Sequence, residues 1–112
     1  MDKVNANDKP YRHGQSGPKY LFRGPNIDWG VIRFLPGERL GRHKHLEVEE
    51  TFFFTRGTPK MIVNGQEFRI EEGDAVRLSP NDDHDIVNDT SEPVDAVFIK
   101  DRYKPDDKVD IK

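Results

Sequence analysis

The segment Gly37 to Gly57, GERLGRHKHLEVEETFFFTRG, decides how the rest of the chain is read. At its centre Arg42-His43-Lys44-His45 is followed by Glu47, Glu49 and Glu50. Two histidines one residue apart point the same way only in extended backbone, because the side chains of a strand alternate faces with a period of two. On a helix the pair would stand roughly 200° apart around the axis. The spacing therefore predicts β-structure with two imidazoles in one pocket. Two imidazoles and a carboxylate five residues on make donor chemistry for a divalent transition metal. A His-x-His pair alone is more often surface decoration, so this reading depends on ligands supplied from elsewhere in the chain.

Working outward, Thr51-Phe52-Phe53-Phe54-Thr55 reads as a strand buried on both faces and closed by Arg56-Gly57-Thr58-Pro59, with the three phenylalanines in the core. Alternation puts Glu50, Phe52 and Phe54 on one side and Thr51, Phe53 and Thr55 on the other. Upstream, Lys19–Phe22 is a short strand ended by Gly24-Pro25-Asn26, and Trp29–Leu35 is a β-branched and aromatic strand stopped by Pro36-Gly37. Arg33 interrupts that apolar run. It is expected on the outer face, the alternative being a cation presented to the pocket.

Downstream, Lys60–Val63 and Gln66–Ile70 flank Asn64-Gly65, a pair that accepts the positive φ values of a type I′ hairpin turn. Further strands are expected at Ala75–Leu78, at His84–Asn88 with His84, Ile86 and Asn88 on one face, and at Val94–Lys100. Turns are expected at Glu71–Asp74, Ser79–Asp82 and Asp89–Pro93. No stretch of 10–12 residues keeps a 3.6-residue period. About eight short strands between Gly, Pro, Asn and Asp turns mean an all-β barrel or sandwich.

Residues 1–18 are rich in Asn, Asp, Lys, Gly and Pro and read as a flexible or partner-dependent arm, in which His13 is expected to be solvated. Residues 101–112 return to Lys, Asp and Pro and are expected to lie on the surface or to be disordered. With 112 residues, the chain has room for one core and one domain. Charged residues make up 35% against 33% for the AVILMFWYC set, which suits a thin barrel. A net charge of −3 argues against a nucleic-acid surface, which rests on clustered Lys and Arg. No apolar run approaches the roughly 18 residues of a membrane span, and Met1-Asp2-Lys3 opens no signal-type core, so a cytoplasmic protein is expected. The absence of cysteine removes disulfides, thiolate nucleophiles and Cys-based zinc sites, leaving His and carboxylate as ligands.

A third histidine, His84, lies in an extended piece that turn-counting returns to the same sheet. His43, His45, His84 and one glutamate then give three imidazoles and one carboxylate, which leaves positions for water or substrate on a metal preferring five or six ligands. Parity favours Glu50 over Glu49, with Glu47 as a candidate pocket acid or base.

These residues resemble a known family. Gly37, five residues, His43-Lys44-His45, four residues, Glu50, six residues and Gly57 match the first cupin motif at every defined position. Gly73, His84 eleven residues on and Asn88 four beyond keep the intervals of the second. Pro80 sits one place late, and Asp82 stands near where the motif has a glycine. The resemblance spans Gly37 to Asn88, about half the chain. It implies an antiparallel double-stranded β-helix, the cupin or jelly-roll barrel, over residues 19–100. It further implies Mn, Fe, Zn, Ni or Cu held by His43, His45, Glu50 and His84, and a homodimer formed through edge or exchanged N-terminal strands, for which residues 1–18 are available.

Cupins host many reactions, so the fold does not choose one. The expectation is a metal-dependent enzyme of oxygenase, decarboxylase or isomerase type acting on a small carboxylate or sugar-like molecule, with Glu47, Arg33 and Tyr20 as candidate catalytic or anion-contacting residues. The alternative is a metal-loaded binding or sensor module that does not turn its ligand over.

Overall fold

A computed structural model describes residues 1–111. Ten strands follow in chain order: β1 Gly17–Arg23, β2 Asp28–Phe34, β3 His43–His45, β4 Glu50–Arg56, β5 Lys60–Val63, β6 Gln66–Arg69, β7 Ala75–Leu78, β8 His84–Val87, β9 Val94–Lys100 and β10 Lys108–Asp110. Among the described residues the one helical piece is a 3₁₀ turn at Ala6–Asp8, and no helix is long and apolar enough to cross a membrane.

The strands form two antiparallel five-stranded sheets, ordered β1-β2-β9-β4-β7 and β10-β3-β8-β5-β6. Their inner faces meet in a core of Ile32, Phe34, Phe52, Phe54, Met61, Ile70, Leu78, Ile86, Val94, Ala96 and Phe98. The molecule is the expected all-β double-stranded β-helix. Several strands that cross this core carry a polar inner residue at one end. Along β4 the buried positions read Glu50, Phe52, Phe54, and along β8 they begin at His84 and continue to Ile86. Chain alternation alone therefore gathers the polar groups at one end of an apolar barrel.

The turns keep their sequence chemistry. Asn64 and Gly65 take φ of 50° and 82°, and β5 pairs with β6 directly across them. Gly57 has φ of 88° with no room for a side chain, since a Cβ there would lie 2.8 Å from Val94 Cγ2 and 2.9 Å from the Pro93 carbonyl oxygen. Before His84 the left-handed position is taken by Asn81, with φ of 72°. An asparagine tolerates that conformation, so the turn forms without the motif's glycine.

Three expectations need correction. The β4 strand is buried on one face only, because Phe53 is 43% exposed on the outer side of its sheet. The tail is not simply surface-bound or disordered: Lys108–Asp110 pair antiparallel with β3, while Lys112 lies outside the described residues. And β1 begins at Gly17, two residues early, its first residues paired with Arg33 and Ile32. Ahead of β1, Tyr11 sits between two cations, 3.9 Å from the Lys19 ammonium and 5.1 Å from the Arg33 guanidinium, measured to its ring centre. Lys19 is buried and donates to the Ala6 carbonyl at 2.7 Å.

Candidate metal centre

Strand β3 supplies His43 and His45 with the outward Lys44 between them, β8 supplies His84, and β4 supplies Glu50. All four are buried, and one potential ligand atom from each lies within 4.8 Å of all the others. Metal–ligand bonds of about 2.1 Å allow ligand atoms to stand at most about 4.2 Å apart, so side-chain movements of a few tenths of an ångström would close such a set on an ion. His43 and His84 are direct partners in the β3–β8 register, and their ring centres are 4.4 Å apart.

Two of the imidazoles are oriented by the backbone. His43 Nδ1 donates to the Gly41 carbonyl at 2.7 Å and His84 Nδ1 to the Asp82 carbonyl at 2.8 Å. Each is thereby fixed as the tautomer whose Nε2 carries a lone pair, the outer-sphere arrangement that usually accompanies a ligating histidine. The His84 Nε2 is buried with no hydrogen-bond partner, 3.6 Å from Glu50 Oε1. A buried, unpartnered acceptor costs free energy unless something fills its lone pair. His45 Nε2 stands 3.1 Å from Glu50 Oε1 and donates to it, so ligation by this atom requires loss of that proton.

The charges suit cation binding. Burial lowers His43 from its ordinary 6.5 to about 4, against the opposing hydrogen bond to Gly41, so it is neutral at neutral pH. Burial pushes the Glu50 carboxyl up, but the hydrogen bond from His45, with the His84 ring and the Lys100 ammonium close by, outweighs it and holds the group at about 2, ionised. The donor set is thus neutral nitrogen and anionic oxygen, which fits a divalent transition metal.

Other candidates fall on both sides of the barrel wall. Tyr20 lines the cavity over the cluster, its ring edge-on to Phe98 at 5.0 Å and its hydroxyl oxygen 2.8 Å from Lys100 Nζ. Arg33 faces outward and pairs with its cross-strand partner Asp95 at 2.7 Å. Glu47 does not enter the cavity: its side chain is 58% exposed and pairs with Lys104 at 3.3 Å. It lies in the loop after β3, outside the strand alternation that would have turned it inward. His13 stands apart from the cluster, against Gly17 in the N-terminal segment. Asn88 is structural, its buried amide donating to the carbonyls of Phe34 and Glu92, both at 2.9 Å.

Sequence reasoning missed Lys100, Arg12 and Lys108, which line the same cavity. For Lys100 a signal existed. It closes β9 at the parity of Val94, Ala96 and Phe98, so a cation at an inward position was readable.

Comparison with known proteins bears on the same features. The family model described as "Cupin domain" matches residues 30–100, which include all four cluster residues. An uncharacterised protein of Methanocaldococcus jannaschii is 30% identical over 70 residues, covering 57% of this chain and 56% of that one, so the chain spans little more than half of that relative. Among solved structures, a conserved Klebsiella pneumoniae protein with a double-stranded β-helix domain superposes with a TM-score of 0.83 at 17% identity, over 100% of this chain and 99% of that one. A DMSP lyase from Ruegeria pomeroyi superposes with a TM-score of 0.73 at 16% identity, over 96% of this chain and 58% of the other. At these identities the structural likeness concerns the fold.

Proposed function

The chain belongs to the cupin domain family, and from that premise we propose that it is a metal-dependent enzyme acting on a small carboxylate or sugar-like molecule, its metal held by His43, His45, Glu50 and His84. The observation that carries this reading is the pair of backbone-oriented imidazoles whose Nε2 atoms converge on an ionised glutamate, one of them buried without any partner. A divalent ion in that set would supply Lewis-acid or redox chemistry to the oxygen atoms of a bound ligand.

The chain's own residues do the rest. Glu50 would balance part of the ion's charge, and His45 would free its Nε2 by a change of tautomer, losing that proton to solvent and taking one up at Nδ1. Ile32, Leu40, Phe52 and Phe98 wall the cavity and limit the water that reaches it. Tyr20 presents a hydroxyl to the same space and is the candidate proton donor. The homodimer implied by the resemblance and the cytoplasmic location expected from the sequence belong to the same proposal, and sedimentation of the purified chain tests the first.

Elemental analysis of protein from its native host is expected to find about one transition metal per chain, and His84→Ala to lower that content at least tenfold. Unchanged metal uptake in both His43→Ala and His84→Ala would sink the assignment. A subsequent screen of small acids and sugars separates an enzyme, which returns product, from a capture module, which returns its ligand unchanged.

A further inference from the structure

The cavity over the cluster has a volume of ≈ 80 Å³. One water needs about 10–15 Å³ on this measure, so the space suits about five to eight waters, or a ligand with a similar number of non-hydrogen atoms. Beyond the cluster, its polar lining is Arg12, Tyr20, Lys100 and Lys108. Arg12 and Lys108 stand where it adjoins a second cavity of ≈ 220 Å³, also lined by Glu38 and by Arg33 and Arg39, which are paired with Asp95 and Asp85.

This lining is one-sided. Lys100 lies directly opposite Glu50 in the β4–β9 register, on the face that carries the cluster, and its ammonium donates to the Tyr20 hydroxyl oxygen at 2.8 Å. An ammonium has donors only, so the Tyr20 oxygen is the acceptor and its own proton must point elsewhere. Among the described residues that proton meets no acceptor, and neither Lys100 nor Arg12 forms an ion pair. Lys108 meets Asp110 at 3.4 Å in an exposed pair. The one carboxylate lining the cavity, Glu50, is already engaged by His45. With the Nε2 lone pairs and Glu50 turned to the cluster, the rest of the lining offers hydrogen-bond donors and positive charge. A neutral sugar would leave the charge of Lys100 and Arg12 unbalanced. A carboxylate brings acceptors only, and charge-assisted bonds of this kind are the stronger ones.

We propose that the ligand is a small organic carboxylate, held by the Lys100 ammonium and the Tyr20 hydroxyl beside the His43, His45, Glu50, His84 cluster, with Arg12 and Lys108 drawing the anion in at the rim. The inference rests on the metal-site reading and narrows its substrate to one class.

Calorimetric titration of the zinc-loaded chain with pyruvate, hydroxyacetone and inorganic phosphate tests it, because hydroxyacetone keeps the pyruvate skeleton with a hydroxymethyl group in place of the carboxylate. Pyruvate is expected to bind at least tenfold more tightly than either of the others. Lys100→Met and Tyr20→Phe are each expected to weaken pyruvate about tenfold, the size of one lost hydrogen bond to a charged group, while zinc content and hydroxyacetone affinity stay within twofold. A preference for phosphate, equal affinity for pyruvate and hydroxyacetone, or pyruvate affinity within twofold of wild type in both variants would overturn the proposal. Should Lys100→Met fail to fold, Tyr20→Phe and Arg12→Gln decide. A chain that takes up no zinc removes the metal reading, and its own preference between pyruvate and hydroxyacetone still decides the carboxylate inference.

Discussion

His43 and His84 each commit one ring nitrogen to a backbone carbonyl, which leaves the other nitrogen to face Glu50. The cost of charging such a buried ring sets a pH dependence. Unfolded, His43 takes up a proton near 6.5; folded, only near 4. Between those values the unfolded chain binds more protons, so stability is full above about 6.5 and falls as the pH drops toward 4. About 3 kcal/mol is at stake by that difference. Glu50 acts in the same direction in a lower window, from its ordinary 4.5 down to about 2. The melting temperature of chelator-treated protein should therefore be flat above pH 6.5 and decline below it, and His43→Gln should flatten the part of the decline above pH 4.5. A decline that survives unchanged in this variant would remove His43 as its source. At this scale the ligands were legible because strand parity ties each to a face, and parity also separated Glu50 from Glu49. Glu47 escaped because a loop obeys no parity, and the outward turn of its side chain was decided by Lys104.

Strand β3 has three residues and meets β8 at a single register pair, His43 with His84. Its other edge is β10, where Lys108, Val109 and Asp110 face His45, Lys44 and His43. Just before β10, the buried Asp107 accepts from the Glu47 amide with both carboxylate oxygens at 3.0 Å and from the Val48 amide at 2.9 Å. Burial alone would raise the Asp107 carboxyl, but these amides hold it below the usual carboxylate range. Two of the four cluster residues thus depend on a residue some sixty positions away. Asp107→Ala should cost about 3 kcal/mol, because it leaves two buried amides without their charged acceptor. It should also lower zinc affinity about tenfold or more, as loss of ligand-supporting contacts typically does. Urea unfolding and chelator competition measure the two, and a stability loss with unchanged zinc affinity would deny β10 its positioning role. None of this was visible in the sequence, since the residues of β10 are exposed and are held through their backbone, which leaves no trace in the pattern of apolar side chains.

Across the whole molecule one core serves both sheets, so the barrel and the cluster at its end should unfold together. Phe54, fully buried, is the largest test of that: Phe54→Ala is expected to cost about 3–5 kcal/mol in urea titrations. A metal that binds only the folded chain adds about 2.7 kcal/mol at a hundred times its dissociation constant, so chelation should lower the melting temperature by on the order of 10 °C. An unchanged melting curve with chelator would mean that no bound metal was present to remove. The architecture was legible in the alternation of strands and the Gly, Pro and Asn punctuation between them. What those signals do not carry is the covering of a sheet's far side, which is why Phe53 was misplaced. The pairing of β3 with β10 also sets a schedule. Residue 108 leaves the ribosome 65 residues after His43. At about 5–20 residues per second, that interval is roughly 3–13 s. For all of it the first two imidazoles exist without the strand that braces them, and a nascent chain halted before Asp107 would carry every ligand and still lack a finished centre. Any metal would therefore be expected to enter only after β10 has paired with β3.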